Sequence, residues 1–488
     1  MLCTGGLCVL IVVAILLHAF SIKHTETAKI IKVKSSTVIS NASSKINLES
    51  SSNISSNTSS MTNSNSSSKT NSVSSKVVIS SSIPSRTVQS SSKQSSCIIS
   101  SSTPSSATTS SELITDPYKR LAAQNSLRAL TLASQYNNDF YNTKVNLLWL
   151  ENPNSNRIAT AWEYGAFMSM QSKLAVIDKN QIPLLNDVIS GMDYYGYLKD
   201  GNLWGYVVNR GWTPLGATNE GLAYDDNIWI AINFIQAYEV TGNKAYLDKA
   251  KYLADFLIRE AWFEPLGGFF WDTRHEARHS CSNNPAIKLF VDISKYTDTN
   301  TKTYYLDWAK KIYDFSYNKL KNTDLNIYRD LIGAKKDANG NWVEGTPDNA
   351  YYAYNTGAMI SGASALYGAT GDKKYLNEAL SSAKGAFDYF GNKSIIPGYV
   401  DFAPKQLLWF NCILLRGYID LYPYAKTQTL PYIDAFQKSI DYGYDNYFDS
   451  GYMPTDWITG DQKNILYSLD ESSNIEMYAM LSQFQNNR

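Results

Sequence analysis

Asp225 and Asp226 stand side by side in the stretch Gly221-Leu222-Ala223-Tyr224-Asp225-Asp226-Asn227-Ile228-Trp229. Adjacent carboxylates repel, so the pKa of one of them rises. One charged and one protonated carboxyl near neutral pH is the equipment of a glycosidase. A single Asp here would read as a helix cap suited to the dipole. A second at the next position, with aromatic residues on both sides, calls for a different account. Beyond the pair, Ile228, Ala231, Ile232, Ile235 and Tyr238 recur at helical spacing. The predicted helix ends at Thr241-Gly242, where glycine supplies the usual stop. Both acids therefore fall in the first turn of an apolar helix.

The elements that must position them repeat. Tyr246-Leu247-Asp248-Lys249-Ala250 opens a helix running to about Ile258, and Tyr305-Leu306-Asp307-Trp308-Ala309 opens another. Tyr375-Leu376-Asn377-Glu378-Ala379 opens a third, and Tyr432-Ile433-Asp434-Ala435-Phe436 fits less closely. The spacings of 59, 70 and 57 residues each hold two helices and their loops. More apolar second helices are predicted to begin near Trp162, Asp225, Ser282, Tyr354, Leu407 and Asn474. Earlier first helices cover Tyr118 to Asn138 and Ile182 to Leu198, and strand-like alternation is scarce. The count is six helical hairpins, an all-α (α/α)6 barrel with amphipathic outer helices and inner helices packed on both sides. An open solenoid is the alternative, but neither end shows a polar capping repeat. The starts of the second helices carry Trp162-Glu163-Tyr164, Asp225-Asp226-Asn227, Ser282-Asn283-Asn284, Tyr354-Asn355-Thr356 and Trp409-Phe410-Asn411. Inner helices running the same way would bring these to one end, as a cleft of rings, amides and two acids.

The bulk composition narrows the partners. Lys plus Arg and Asp plus Glu both number 44, a neutrality that argues against nucleic acid. Aromatic residues make up 13%, with 35 Tyr and 11 Trp, which suits either sugar stacking or a large core. Residues 1–33 hold a short apolar run at 7–22 and read as a signal peptide or an N-terminal membrane anchor. Residues 34–111, rich in Ser, Thr and Asn and without aromatic residues or glycine, read as a disordered spacer. Residues 112–488 form one catalytic domain without a further linker. The reading is thus of a secreted or surface-tethered protein, a monomer. Cys281 and Cys412, the cysteines of the folded part, read as buried free thiols. No metal site and no cofactor is called for, and His275 and His279 form a cluster without evident catalytic context.

The ordered set of motifs resembles glycoside hydrolase family 76, the endo-α-1,6-mannanase family. It is carried by Tyr224 to Trp229, by Ala237-Tyr238-Glu239-Val240-Thr241-Gly242 and by Gly267-Gly268-Phe269-Phe270-Trp271-Asp272. Tyr354-Asn355-Thr356-Gly357 and Ala365-Leu366-Tyr367-Gly368-Ala369-Thr370-Gly371-Asp372 complete it, so that the likeness covers nearly all of 115–488. The family fold is an (α/α)6 barrel. The resemblance implies a retaining enzyme with Asp225 as nucleophile and Asp226 as acid and then base. Retention needs carboxylates roughly 5 to 5.5 Å apart, within reach of neighbours whose Cα atoms lie about 3.8 Å apart. Sugar contacts are expected from Trp162, Tyr224, Asn227, Trp271, Arg274, Asn283, Asp348, Tyr354, Asn355, Trp409 and Phe410. The polysaccharide substrate implied is α-mannan or a mannose-containing cell-wall glycan. The chain departs from the family pattern at Arg278 to Pro285 and at Glu471 to Met477. A mannan transglycosidase and a non-catalytic glycan-binding protein on a Ser-rich stalk are the competing readings.

Overall fold

The structure, a computed structural model, describes residues 115–152, 157–199, 201–209, 221–402, 406–461 and 465–488. The leader and the spacer lie outside the described residues. Twelve α-helices span the described chain. The first six are α1 (Pro117–Phe140), α2 (Ala161–Ile177), α3 (Ile182–Gly191), α4 (Tyr224–Thr241), α5 (Lys244–Glu260) and α6 (Ser280–Ser294). They are followed by α7 (Thr299–Lys319), α8 (Ala353–Thr370), α9 (Lys373–Phe390), α10 (Leu408–Leu421), α11 (Lys426–Tyr447) and α12 (Ser468–Asn486).

The even-numbered helices form an inner ring. Each packs on the next, and α12 packs back on α2. That last contact closes the ring and excludes an open solenoid. The odd-numbered helices stand outside, each against an inner neighbour. Burial follows the layers: α12 buries seventeen of its nineteen residues, whereas α5 buries six of seventeen along one stripe from Leu247 to Leu257. An outer helix needs one apolar face; an inner one is enclosed all round. The architecture is the (α/α)6 barrel.

The fourth residue of four inner helices ties that helix to the segment before it. Asn227 donates from Nδ2 to the Tyr206 carbonyl at 2.8 Å and accepts from the Tyr206 N–H at 2.8 Å. Asn283 treats Phe269 the same way, at 3.0 and 2.8 Å. Thr356 Oγ1 accepts from the Tyr328 N–H at 3.1 Å, and Asn411 Nδ2 donates to the Phe402 carbonyl at 2.9 Å. Short side chains with both donor and acceptor are the simplest way to satisfy backbone groups that a buried loop would otherwise leave unpaired.

Three expectations need correction. The sixth inner helix begins at Ser468 rather than near Asn474. Its polar first turns are enclosed instead of looped out, with Ser472 and Ser473 donating to the Leu469 carbonyl. The helix from Ile182 stops at Gly191, and a 3-10 turn leads into a strand at Gly196–Lys199. A three-stranded antiparallel sheet of Ala277–His279, Leu331–Lys336 and Trp342–Pro347 was not anticipated. Its signal in the sequence is Asn339-Gly340, where Gly340 turns the hairpin at φ 83°.

Gly357 lies where α8 crosses α10. A Cβ there would sit 2.6 Å from Leu414 Cα and 2.7 Å from the Ile413 carbonyl oxygen, both backbone atoms that cannot rotate aside. Gly357→Ala is expected to cost about 1–3 kcal/mol of stability by overpacking. A urea denaturation midpoint equal to that of the parent protein would refute the tight crossing.

Candidate active site

Asp225 and Asp226 are the second and third residues of α4, as their spacing predicts. The backbone N–H of Tyr224 donates to the Trp271 carbonyl at 2.7 Å, which fixes the Trp271 loop over the start of the helix. That loop turns at Gly268, whose φ is 85° and whose absent side chain leaves room for the Phe315 ring. The buried guanidinium of Arg278 holds it from below, donating to the Gly267 and Gly333 carbonyls at 3.0 and 2.9 Å and pairing with Glu344 at 2.5 Å.

The two acids occupy different surroundings. Burial raises the pKa of Asp225, while hydrogen bonds from the Trp271 and Cys281 side chains, the charge of His279 and the Asp226 backbone N–H pull it back down. One of its oxygens, Oδ1, is enclosed with no protein partner. Asp226, 9% exposed, has no such donors. Burial, then the charges of Asp225 and Glu163, push its carboxyl well above the usual range. The proton shared by the pair therefore belongs on Asp226. The Cys281 thiol is pushed up by burial first and by Asp225 next, so it stays protonated and donates to Asp225.

The rings expected at the cleft do come together. Trp162 lies edge-on to Trp409 at 5.4 Å between centroids, and Trp409 meets Trp229 at 5.2 Å and Tyr354 at 5.6 Å. Tyr354 stacks on Phe410 at 4.3 Å. These residues start α2, α4, α8 and α10, so the inner helices do present one shared end. Trp162, Trp229, Trp409 and Asp226 line one small pocket. A larger cavity, about 560 Å³, opens elsewhere, among Lys173, Glu239, Lys288, Asp292 and Asp420, and holds neither acid.

Several expected sugar contacts are placed otherwise. Tyr224 is buried, and its hydroxyl pairs with His275 Nε2 at 3.1 Å and the Glu260 carbonyl at 3.2 Å. The amides of Asn227 and Asn283 are committed to backbone groups of Tyr206, Ala223, Phe269 and His279. These three hold the wall of the site. Arg274 pairs with Asp272 at 2.6 Å beside the Trp271 ring, exposed at the loop tip. Asp348 and Asn355 converge on Asp330: Asp348 Oδ1 accepts from the backbone N–H of Asp330 at 3.1 Å, and Asn355 Nδ2 donates to Asp330 Oδ1 at 3.1 Å.

Glu163, Trp229, His279 and Cys281 were noted in the sequence without a sugar-binding or catalytic role, and Asp330 was not noted. Glu163 could have been found from Thr160-x-x-Glu163, a capping box whose acid also receives the Tyr467 hydroxyl. His275 and His279 are not one cluster. His275 stacks on Phe270 at 4.7 Å, while His279 lies 5.2 Å from the Trp271 ring and 3.4 Å from Asp330.

A barrel of six helical hairpins with paired, unlike carboxyls at the shared end of its inner helices has the build of a glycoside hydrolase. The profile of Glycosyl hydrolase family 76 matches residues 122–487, and the chain belongs to that family. Among curated relatives, the mannan endo-1,6-alpha-mannosidase DCW1 of Candida albicans is 25% identical over 126 residues, 26% of each chain. That of Candida glabrata is 26% identical over 204 residues, 38% of this chain and 43% of the relative. The chain thus spans less than half the length of either. A solved family 76 mannosidase of Bacteroides thetaiotaomicron superposes with a TM-score of 0.66 at 23% identity, over 75% of this chain and all of that one. An inactive variant of a Salegentibacter α-1,6-mannanase, two aspartates replaced, in complex with α-1,6-mannotriose, gives 0.59 at 18% identity, over 74% and 99%.

Asn227→Ala is expected to lower stability by about 1–3 kcal/mol, because the Tyr206 N–H and carbonyl lose their partner in a buried setting. KM for any substrate should change little. A raised KM at unchanged stability would return Asn227 to the list of sugar contacts.

Proposed function

We propose that the protein cleaves α-1,6-linked mannan by retaining double displacement, with Asp225 as nucleophile and Asp226 as acid and base. The observation that carries this reading is the unlike setting of two consecutive acids. Asp225 has donors that favour its charged form; Asp226 has burial and two neighbouring acids that favour its proton. The ionised Asp225 attacks the anomeric carbon while Asp226 gives its proton to the departing glycosidic oxygen. In the second half, Asp226 takes a proton from water, and the water oxygen displaces Asp225. The rings of Trp162, Tyr354, Trp409 and Phe410 give a surface on which the apolar faces of sugars stack. Mannan is supported by the names of the curated relatives and by the mannotriose bound to the Salegentibacter enzyme.

The same reading places the protein outside the cell, secreted or tethered at its N-terminus, supported by the apolar run at 7–22 and the Ser-rich spacer. Among the described residues no helix is long and apolar enough to cross a membrane.

The test is the full-length chain on linear α-1,6-mannan, with product sizes followed over time. Short manno-oligosaccharides that vanish in Asp225→Asn support the assignment. Products longer than the starting chains indicate transfer to a sugar acceptor, and binding without product indicates a lectin. Asp226→Asn should lose about 10²–10⁴ in turnover of mannan and lose least on mannosides with good leaving groups, which need no acid. Near-parental turnover of mannan in either variant sinks the assignment.

Asp226 also makes a stability prediction. Its folded pKa lies above its unfolded one, so below the unfolded value both states hold the proton and nothing is lost. As pH climbs from there through the raised value, the unfolded state gains the advantage. Asp226→Asn removes that cost, so at pH 7 its thermal midpoint should equal or exceed the parent's, with the difference vanishing near pH 3. A variant less stable at pH 7 than at pH 3, relative to the parent, contradicts a protonated Asp226.

A further inference from the structure

The cavity of about 560 Å³ takes no part in the mechanism above, yet all six inner helices build it. Each contributes from its later half: Lys173 from α2, Glu239 from α4, Asp292 from α6, Ala365 from α8, Asp420 from α10 and Phe484 from α12. The cavity therefore lies towards the C-terminal ends of the helices whose starts hold the acids. Tyr424, Lys426 and Gln483 among its walls are exposed, so it opens to solvent. Its volume falls within the roughly 300–1,000 Å³ of small-molecule sites.

Most charges on these walls are matched. Helix C-termini carry partial negative charge, which accounts for lysines at this end. Lys288 and Lys295 pair with the two oxygens of Asp292 at 2.9 and 2.6 Å. Arg416 pairs with Glu476, and Glu239 accepts from the Tyr296 hydroxyl at 2.8 Å. Two groups are left over. Among the described residues Lys173 makes no hydrogen bond or ion pair, and neither does Asp420. Asp420 Oδ2 is enclosed, which leaves Oδ1 for the cavity. The two side chains feel each other's charge without pairing. Unlike charges withdrawn from water and left without partners are costly, and these two line one space.

The leftover pair selects the chemistry of an occupant. An anion would meet Asp420 and the helix C-termini; a cation would meet Lys173. A neutral group that accepts from one and donates to the other meets neither objection, and hydroxyls do both. The rings of Tyr422 and Phe484, edge to face at 4.9 Å, line the same cavity and suit the C–H face of a sugar.

We propose that this cavity is a second, non-catalytic sugar site that takes a mannose unit or a short manno-oligosaccharide, with Lys173 donating to one hydroxyl and Asp420 accepting from another. The choice of mannose rests on the mannanase reading above. The two ends of one barrel then share a ligand: the acids at one end cleave mannan, and the cavity at the other holds a product or a chain end.

The experiment titrates α-1,6-mannobiose by calorimetry into the full-length chain carrying Asp225→Asn, which stops turnover. The titration is repeated with Lys173→Met or Asp420→Asn added, and folding is checked by circular dichroism. Two sites are expected, falling to one in each double variant. With Asp225 intact, neither substitution should change the initial rate on linear α-1,6-mannan. If Lys173→Met fails to fold, Asp420→Asn decides alone. A single site throughout, or two sites that persist in the folded double variants, overturns the proposal while leaving the mannanase reading intact. A parent inactive on mannan that still loses a site with Lys173 overturns the mannanase reading alone. A parent inactive on mannan with no site for mannobiose overturns both.

Discussion

Two carboxyl groups on consecutive residues, withdrawn from water, cannot both carry charge at neutral pH. The rest of the site is arranged around which of them does. Burial raises both; Asp225 is given an indole N–H, a thiol and a backbone N–H that pull it back, whereas the charges of Asp225 and Glu163 push Asp226 further up. The difference in setting is created by different elements: the Trp271 loop and the start of α6 face the first acid, α2 faces the second. Splitting two identical side chains by surroundings needs walls that do not yield, and the barrel supplies them.

Those walls depend on the ends of the inner helices being open. The outer helices α1, α5, α7 and α9 begin with Asp116, Asn243, Asp298 and Asp372, each capping with its side chain. Among the inner helices α4, α6, α8, α10 and α12 begin at Ala223, His279, Tyr352, Leu407 and Tyr467 with no side-chain cap. Their first N–H groups go to other segments: Tyr224 to the Trp271 carbonyl, Ser280 to the Asp330 carbonyl, and Ala353 to the Gln406 side chain. Helix N-termini carry partial positive charge. Gathered at one end, they favour the ionised form of a carboxylate lying there. What is lost in helix capping at those starts is recovered as a field at the site.

Much of this was legible from the chain. The Tyr-Leu/Ile-Asp/Asn segments marked four outer helices, because each must show the same face to the same layer, and the apolar helices between and before them brought the count to six hairpins. The acids, Trp162, Tyr354, Trp409 and Phe410 were singled out because unusual side chains stood where ordinary caps belong, and these rings do meet at one end of the inner helices. Asn227 and Asn283 bond backbone groups for a reason hidden in the sequence: an amide that bridges a backbone N–H and carbonyl looks there the same as one that bridges two sugar hydroxyls. The burial of Tyr224 was equally hidden, since its partners, His275 and the Glu260 carbonyl, lie 51 and 36 residues away. Asp330 carried no local signal at all, because its contact with His279 depends on a sheet that joins 277–279 to 331–336. The start of α12 was lost to composition: Ser-Leu-Asp-Glu-Ser-Ser-Asn reads as loop until a ring of neighbours encloses it.

A field that favours negative charge has a cost in a glycosidase, because the transition state places positive charge on the anomeric carbon. Helix N-termini alone would oppose it. Around Asp226 the charges of Asp225 and Glu163 act in the opposite sense. Further along the barrel the charge is handled differently. The buried Arg416 pairs with Glu476 and takes in Ser169, joining α10, α12 and α2 across the ring. Arg416 lines both the small pocket that holds Asp226 and the large cavity with Lys173 and Lys288. It therefore stands between the two spaces as a neutralised plug. The larger cavity is lined by lysines, by Glu239, Asp292 and Asp420 and by the rings of Tyr422, Tyr424 and Phe484, and it holds neither Asp225 nor Asp226. The paired acids sit instead in the first turn of α4, beside the rings at the starts of α2 and α10.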